Sequence, residues 1–255
     1  MPTIRGSYRH YRSREPRPMK AQEIWAFAGD IRRQILGSVH RRAADVREVA
    51  DRTGSLLVNG VAFALVWDFD NAVHDEDGRP VMGVCEHDPN EPGQVMISIN
   101  GAEVGPRPEI ERSTALHELG HALFDMPAAV HAERQLRLEF GDEPRRRVFR
   151  IVSSGRDPKG PMDWREWRAN EFMGAFLAPP EPFHRRLVRL ANAAGLSLVH
   201  RPAFGKAGLP VVDGRRPGGI EFDQVVDLLA EEFRVSREFA RVRIGKYRLL
   251  AGRED

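Results

Sequence analysis

Apolar residues recur at helical spacing in several stretches of this chain. The first stretch has apolar residues at positions i, i+3, i+4, i+7 and i+11, which are Ile24, Phe27, Ala28, Ile31 and Ile35. This spacing predicts an amphipathic helix that ends near Gly37. A second short helix is expected from Ala44 to Arg52. The same pattern predicts later helices over residues 109–124, 128–140, 163–178 and 181–194, and a helical pair within 222–248.

Between residues 56 and 99 the pattern changes to short runs rich in β-branched and aromatic residues. These runs are Leu56–Val58, Ala62–Phe69, Pro80–Cys85 and Gln94–Ile99. Asn-Gly, Asp-Gly and Pro-Gly pairs separate them, and such pairs are typical of tight turns. Short connections favour antiparallel neighbours. We therefore expect an α+β fold with a small, mainly antiparallel sheet.

Composition divides the chain into three parts. Residues 1–19 are basic and interrupted by prolines, which predicts a flexible arm. Residues 20–200 are expected to form the main domain, and residues 201–255 a C-terminal helical extension. Within these parts, the polar, Gly- and Pro-containing segment 141–162 is interpreted as a long mobile loop, and 198–219 as an irregular connection.

Charge and cysteine content exclude few functions. Lys and Arg number 39 against 37 Asp and Glu, so the net charge of +2 gives no argument for a nucleic acid or an anionic membrane as the main partner. The single cysteine, Cys85, cannot form a disulfide within the chain, and we expect it to be a buried, inert thiol. The first twenty residues lack the apolar segment of a signal peptide, and the longest apolar run, Val61–Trp67, is too short to span a bilayer. These features favour a cytoplasmic protein.

The chemical signal is the segment His117-Glu118-x-x-His121. Side chains at i and i+4 share one face of a helix, so both imidazoles can reach the same metal ion. Glu118 follows the first ligand and can serve as the general base for an attacking water. The flanking residues are apolar nearly all round this helix, which predicts that it is buried. Burying two imidazoles and a carboxylate is costly unless a partner such as a metal ion satisfies them.

A catalytic zinc site requires a third protein ligand. The extended metzincin motif is excluded, because Phe124 and Pro127 occupy the positions of its glycine and third histidine. The ligand must then come from another element. The candidates are Glu133, Glu139, Glu166, Glu171 and His131.

Glu166 is the preferred third ligand. It lies in a segment with five large apolar residues, Trp164, Trp167, Phe172, Met173 and Phe176, which predicts a buried helix. Asn170 is one turn after Glu166 on the same face, where it can orient a ligand histidine. Glu171 falls on another face and is the weaker candidate. Asp125, one turn after His121, is either a support for that histidine or an ordinary surface residue.

Two motifs together resemble the ImmA/IrrE family of zinc metallopeptidases. These are His117-Glu118-Leu119-Gly120-His121 and the pattern E-x-x-A-N-x-F that begins at Glu166, followed by Leu177 and Pro179. The resemblance covers roughly residues 20–250. The chain departs from the family in a long spacer between His121 and Glu166 and in Leu-Ala-Pro where Leu-Met-Pro is usual.

The resemblance implies a gluzincin-type endopeptidase. His117, His121 and Glu166 would hold one catalytic Zn2+, and Glu118 would be the general base. It also implies a protein substrate, often a helix-turn-helix repressor that is cleaved in a stress or mobile-element response. The sheet would then pack on a zincin active-site helix. We further expect the strand Gln94–Asn100 to form the cleft edge and to pair with an extended substrate. Such sites usually have a Tyr, His or Arg that stabilises the oxyanion, and the sequence does not assign one. His131 and His184 are considered for this role, but each is better explained as a surface histidine.

The C-terminal pair resembles a helix-turn-helix. Its parts are Phe222–Phe233, the turn Arg234-Val235-Ser236, and Arg237–Leu249. The second helix is basic, with Arg237, Arg241, Arg243, Lys246 and Arg248, but Arg234 stands where many such turns have glycine. The pair can pack on the catalytic domain, dock a protein substrate or bind DNA, of which DNA binding is least favoured.

Two functions compete with the endopeptidase interpretation of the whole protein. They are a non-enzymatic metal- or DNA-binding regulator on a zincin scaffold and a processing peptidase with a different substrate. No membrane partner is expected.

Overall fold

The computed structural model describes residues 3–37, 43–75, 77–91, 93–140, 148–152, 162–215 and 219–252. Its strands are β1 (Ile4–Gly6), β2 (Ser55–Val58), β3 (Val61–Asp68), β4 (Gly83–His87), β5 (Gln94–Ile99), β6 (Phe149–Val152), β7 (Leu198–Ala203), β8 (Lys206–Asp213) and β9 (Leu250–Ala251). Its helices are α1 (Ala21–Leu36), α2 (Val46–Arg52), α3 (Gly101–Val104), α4 (Pro108–Phe124), α5 (Met126–Phe140), α6 (Trp164–Leu177), α7 (Pro180–Ala193), α8 (Gly219–Phe233) and α9 (Arg237–Lys246). The α+β class is confirmed. The described residues fall into two units, one within 1–37 and 45–173 and the other within 38–44 and 174–255.

The first unit is built on a six-stranded sheet in the order β1-β2-β3-β5-β4-β6. The β2–β3, β4–β5 and β4–β6 pairs are antiparallel, and the β1–β2 and β3–β5 pairs are parallel. The sheet is therefore mainly antiparallel, as predicted. Helix α4 packs against β4 and β5, so the helix that carries the His-Glu motif lies on this pair of interior strands.

The expectation that Gln94–Asn100 forms the cleft edge is wrong. This segment forms β5, which pairs with β3 on one side and with β4 on the other. Both rows of its backbone hydrogen-bonding groups are thus used within the sheet, and no row is left for an extended substrate. The alternating pattern of a strand shows which residues face the core, but it does not show which neighbours the strand has.

The N-terminal segment is not the flexible arm that we expected for residues 1–19. Ile4 is buried in β1, which pairs in parallel with β2. The hydroxyl of Tyr8 donates to the backbone carbonyls of Leu123 and Phe124, both at 3.1 Å, where α4 ends. The Tyr8 ring also packs edge to face on Phe27, with centroids 5.5 Å apart. Ile4 and Tyr8 therefore anchor this segment to the first unit. The composition of the segment did not indicate this, because it is basic and interrupted by prolines.

Two further expectations about loops need correction. Within 198–219, which we expected to be irregular, β7 and β8 form an antiparallel hairpin that turns at Phe204 and Gly205, both at positive φ. Within 141–162, residues 149–152 form β6 on the edge of the sheet. The remaining residues of the predicted mobile loop, 141–147 and 153–161, lie outside the described part of the chain.

Apart from residues 38–44, the second unit consists of the chain from Gly174 onward, so its boundary lies within α6, whereas the composition indicated residue 201. Its core contains Phe183 of α7, which packs on Phe233 of α8 at 5.1 Å and on Tyr247 at 6.1 Å. The Tyr247 hydroxyl donates to the carbonyl of Ala178 at 2.8 Å. Helix α7 therefore shares its core with the C-terminal pair, which is why the boundary precedes it. A three-stranded sheet, β7-β8-β9, completes the unit.

The helix-turn-helix pattern of α8 and α9 is present, but its basic residues are largely engaged. Arg234 adopts a φ of 51° in the turn, the conformation for which such motifs favour glycine, and Ser236 caps α9 by accepting from the Phe239 amide at 3.1 Å. Arg237 pairs with Asp223 of α8 at 2.7 Å, and Arg241 pairs with the same carboxylate. A third basic residue, Arg243, is buried.

In the described part of the chain no helix is both long enough and apolar enough to cross a bilayer.

The anchoring role of Tyr8 predicts a specific loss of stability. Replacing Tyr8 with Phe keeps the ring contacts but removes the donor to the last carbonyls of α4. We expect the free energy of unfolding to fall by about 1–2 kcal/mol. Urea denaturation measures this change, with Tyr11→Phe as the control because Tyr11 is 47% exposed. Equal stability of the Tyr8→Phe and wild-type proteins would contradict the anchoring role.

Candidate metal centre

Helix α4 carries the three residues of the His-Glu motif on its buried side. His121 and Glu118 have no exposed surface, and His117 is 8% exposed. One helical turn separates the two histidines, and their Nε2 atoms lie 3.0 Å apart. Both imidazoles thus direct the same nitrogen to one point, as the i, i+4 spacing predicts.

Helix α6 brings a carboxylate to that point. Glu166 Oε2 lies 3.3 Å from His117 Nε2, and Oε1 lies 3.1 Å from His121 Nε2. One donor atom from each of the three residues falls within 4.8 Å of the others, so the group can hold a metal ion. Two imidazole nitrogens and a carboxylate oxygen are a common donor set of catalytic zinc sites. The Glu166 side chain is 30% exposed, which gives solvent access to the donor atoms beside it.

Gly120 allows helices α4 and α6 to approach each other closely. A Cβ on Gly120 would lie 2.9 Å from the Cα of Ala169 and 3.3 Å from its Cβ. Gly120 lies between the ligand histidines in sequence, and Ala169 lies one turn after Glu166. The contact between these two small residues therefore fixes the distance over which Glu166 reaches the histidines. The sequence analysis did not predict this contact, although the small residues Gly120 and Ala169 are typical of closely packed helices.

Asp125, the residue directly after α4, supports His121 from behind and is itself held by Arg168 of α6. Asp125 Oδ2 lies 2.9 Å from His121 Nδ1, and Asp125 Oδ1 accepts from the Arg168 guanidinium at 2.8 Å. The Asp125 side chain is 4% exposed and the Arg168 side chain 13%. A carboxylate on Nδ1 fixes the ring orientation and leaves Nε2 to face the metal position. The sequence left two interpretations open for Asp125, a support for His121 or an ordinary surface residue, and the structure shows the first. Arg168 was missed, because the sequence pattern shows no partner for it.

The charges of the centre favour a bound cation. Burial lowers the pKa of His121, but hydrogen bonds with Asp125 and Glu166 and the nearby charge of Glu118 outweigh burial and raise this pKa to about 10. For Glu166, burial raises the pKa, while the hydrogen bonds from His117 and His121 dominate and lower it to about 2. Three carboxylates thus surround the two imidazoles. A divalent ion supplies positive charge at the same point and would release the proton from His121 on binding.

The general-base candidate is held against the sheet. A Cβ on Gly83 of β4 would lie 3.0 Å from both Cγ and Oε1 of Glu118 and 2.8 Å from Cγ2 of Thr114. The β4 backbone therefore forms the wall on which the Glu118 side chain lies, and any larger residue at position 83 would displace it. Gly83 is a second residue whose role the sequence analysis missed, since the predicted strand Pro80–Cys85 does not show what packs against its backbone.

The other sequence candidates lie away from the donor atoms. Glu133 accepts from Arg137 at 3.1 Å, and the buried Glu171 accepts from the Trp25 indole at 2.7 Å. His131 is half-buried, and His184 hydrogen-bonds through Nε2 to the carbonyl of Pro210 at 2.7 Å in the second unit. None of them belongs to the metal-compatible group found among the described residues, and Glu139 does not either.

Asn170 makes a contact different from the one that we expected. Its side-chain amide donates to the backbone carbonyl of Glu166 at 2.8 Å, one turn earlier in α6. This hydrogen bond supports the turn that carries the third ligand. The predicted contact with a ligand histidine stays a prediction. Cys85 is fully buried, and burial raises the pKa of its thiol, which agrees with an inert role.

A scan against protein-family models gives no match, and comparisons with curated proteins and with solved structures give none either. The likeness to the ImmA/IrrE family therefore stays an inference from the two motifs.

The close approach of α4 and α6 at Gly120 predicts that a larger residue at this position weakens metal binding without replacing any ligand. A Gly120→Ala substitution adds one methyl group against the Ala169 backbone and should push α6 away from α4. We expect metal affinity to fall at least about tenfold, the range seen when the support of a metal ligand is lost. Competition with a chelating dye measures the affinity. Gly29→Ala is the matched control, because this helical glycine has only the end of the Arg33 side chain nearby, at 3.7 Å. Unchanged affinity in Gly120→Ala would contradict the packing argument.

The Asp125–His121 contact predicts a partial loss of metal affinity when the Asp125 carboxylate is neutralised. Asp125→Asn keeps the size of the side chain but removes the charge next to Nδ1, so metal affinity should fall about 10- to 100-fold. Asp30→Asn is the control, since Asp30 is exposed on α1 and pairs only with Arg33 in the described structure. If both variants bound metal as tightly as the wild type, Asp125 would have no role in the centre.

Proposed function

We propose that this protein is a zinc-dependent endopeptidase in which His117, His121 and Glu166 hold one catalytic ion. The observation that supports the proposal most directly is the convergence of three donor atoms from α4 and α6 beside the buried carboxylate of Glu118. Structural zinc sites usually have four protein ligands, whereas three ligands with solvent access are typical of catalytic sites.

A bound zinc ion would supply Lewis acidity, which lowers the pKa of a water molecule and polarises the scissile carbonyl. The protein residues supply positioning and proton transfer. Asp125 and Arg168 hold His121 in the orientation that directs Nε2 to the ion. The Gly120–Ala169 contact holds Glu166 at its distance from both histidines.

Glu118 is the proposed general base and, later, the general acid. Its carboxylate takes a proton from the water as the water oxygen attacks the carbonyl carbon. It then gives that proton to the leaving nitrogen as the peptide bond breaks. Complete burial limits the exchange of this proton with bulk water, and the β4 backbone at Gly83 restricts the side chain to one position.

The proposed substrate is a protein, and by the family likeness a helix-turn-helix repressor in a stress or mobile-element response. The competing candidate is a non-enzymatic metal- or DNA-binding regulator. Arg237 and Arg241 are paired with carboxylates of α8, which leaves fewer cations on α9 for phosphate contacts. This observation ranks direct DNA binding below proteolysis.

The central test is Glu118→Gln in the full chain. We expect this variant to retain its zinc, since Glu118 is not a ligand, and to lose cleavage by about 100- to 10,000-fold, the range attributed to general-base catalysis. Zinc is measured by elemental analysis, and cleavage by mass spectrometry of a repressor encoded beside the gene. Glu109→Gln, on the first turn of the same helix, should cleave normally, and His117→Ala should lose both zinc and activity.

Two outcomes would contradict the proposal. Glu118→Gln that still cleaves would remove Glu118 from the mechanism. A wild-type protein that binds zinc and shifts operator DNA, yet yields no fragments from the repressor, would favour the non-enzymatic regulator.

A further inference from the structure

Strand β1 forms one edge of the six-stranded sheet, and α1 packs beside it. One side of β1 pairs with β2. On the other side, the side-chain amide of Gln34 from α1 takes the place of a neighbouring strand. Its Nε2 donates to the Arg5 carbonyl and its Oε1 accepts from the Arg5 amide, both at 2.8 Å. Gln34 thus supplies the donor and the acceptor that a peptide group of another strand would supply there.

Ser7 offers the next pair of backbone groups on the same side of the chain. In an extended chain the backbone groups of residues i and i+2 point to the same side, so Ser7 repeats the direction of Arg5. The intervening Gly6 points to the other side, where its carbonyl accepts from the Asn59 amide at 3.0 Å. Ser7 is exposed, and no described residue pairs with its amide, its carbonyl or its hydroxyl. The edge of the first unit therefore presents one free donor and one free acceptor beside Gln34.

A cavity of about 410 Å3 lies between this edge and α1. We call it the edge groove. Its lining consists of three residues from the edge and four from α1, which are Arg5, Gly6, Ser7, Phe27, Asp30, Arg33 and Gln34. A Cβ on Gly6 would lie 2.9 Å from the Phe27 ring, so the ring packs directly on the Gly6 backbone. The volume falls within the range of sites that bind small ligands.

The charged side chains that line the edge groove sum to +1. Arg33 forms an ion pair with Asp30, so these two charges offset each other. Arg5 lines the groove as well, and among the described residues its guanidinium has no acidic partner. An occupant with one negative charge would complement this lining, and guanidinium groups form strong hydrogen bonds with carboxylates.

We propose that the edge groove binds the free C-terminal residue of a peptide. In antiparallel pairing with Ser7, the N–H of that residue would donate to the Ser7 carbonyl, and its carboxylate would accept from the Ser7 amide. An antiparallel chain runs from Ser7 towards Arg5, where Gln34 occupies the space that a continuing chain would need. A chain that ends opposite Ser7 therefore fits, and its carboxylate lies at the positively charged lining. The site does not depend on the proposed peptidase activity.

Amide NMR of the isotope-labelled full-length protein tests the edge groove. The probe is N-acetylated tetra-alanine with a free C-terminal carboxylate, the matched probe is the same peptide with a C-terminal amide, and sodium acetate represents a carboxylate alone. We expect the acid form to shift the resonances of Arg5 and Ser7. It should bind about tenfold or more tightly than the amide form, because a charged acceptor strengthens the hydrogen bonds. The His117→Ala protein should give the same shifts, since the groove contains no metal ligand.

Two variants separate recognition of the carboxylate from pairing with the edge. Arg5→Gln/Arg33→Gln removes the positive charge and should weaken binding of the acid form about tenfold, with little effect on the amide form. Gln34→Ala frees the backbone groups of Arg5 for a continuing chain and should reduce the preference for the acid form. Arg79→Gln is the control, because Arg79 is 76% exposed in the same unit and lies outside the groove. Thermal melting shows that each variant is folded.

Four results would overturn the proposal. Absent shifts at Arg5 and Ser7, or equal binding of the acid and amide forms, would remove the peptide terminus as the occupant. Equal shifts with acetate at the same concentration would assign the groove to a small anion. Loss of the shifts in the His117→Ala protein would assign the peptide to the metal centre. A failure of proteolysis in other assays would leave the edge groove intact, since none of these measurements requires cleavage.

Discussion

The candidate centre depends on how closely α4 and α6 approach each other. At the contact of Gly120 with Ala169 there is no space for a side chain at position 120 of α4. Only at this separation does Glu166 come within 3.3 Å of both ligand histidines. The same approach brings Arg168 to Asp125, so one helix contact places a ligand and the support of another ligand. The two motifs of the sequence become one site through packing.

Charge is the second constraint on the centre. Glu118, Glu166 and Asp125 converge on two imidazoles in a region where two of the three carboxylates are buried. Arg168 offsets one negative charge, and a proton on His121 offsets another. A bound cation would offset the remaining negative charge, because buried carboxylates are costly without compensation. The arrangement of charges can therefore hold a cation for reasons that are separate from any family likeness.

The elements that the sequence predicted well are those with strong local signals. Helix α4 and strands β2 to β5 follow from periodicity and turn residues, and His117, Glu118 and His121 follow from one helical turn. Glu166 was identifiable because an inward carboxylate on a buried helix is unusual. The sheet order, the anchoring of Tyr8 and the Asp125–Arg168 pair all depend on contacts between residues distant in sequence. Periodicity contains no information about such contacts, so β5 was mistaken for an edge and residues 1–19 for an arm.

Gly83 has a consequence for recognising relatives of this protein. The His-Glu pentapeptide is short and arises in unrelated chains, so it discriminates poorly by itself. The steric limits at Gly83 and Gly120 add two positions where only hydrogen fits, each tied to a particular atom of the centre. A search pattern can require a glycine at the first position of β4, a glycine within the pentapeptide and an alanine three residues after Glu166. Such a pattern combines shape with chemistry. Such a pattern would retain chains that share the geometry and reject chance occurrences of the five letters.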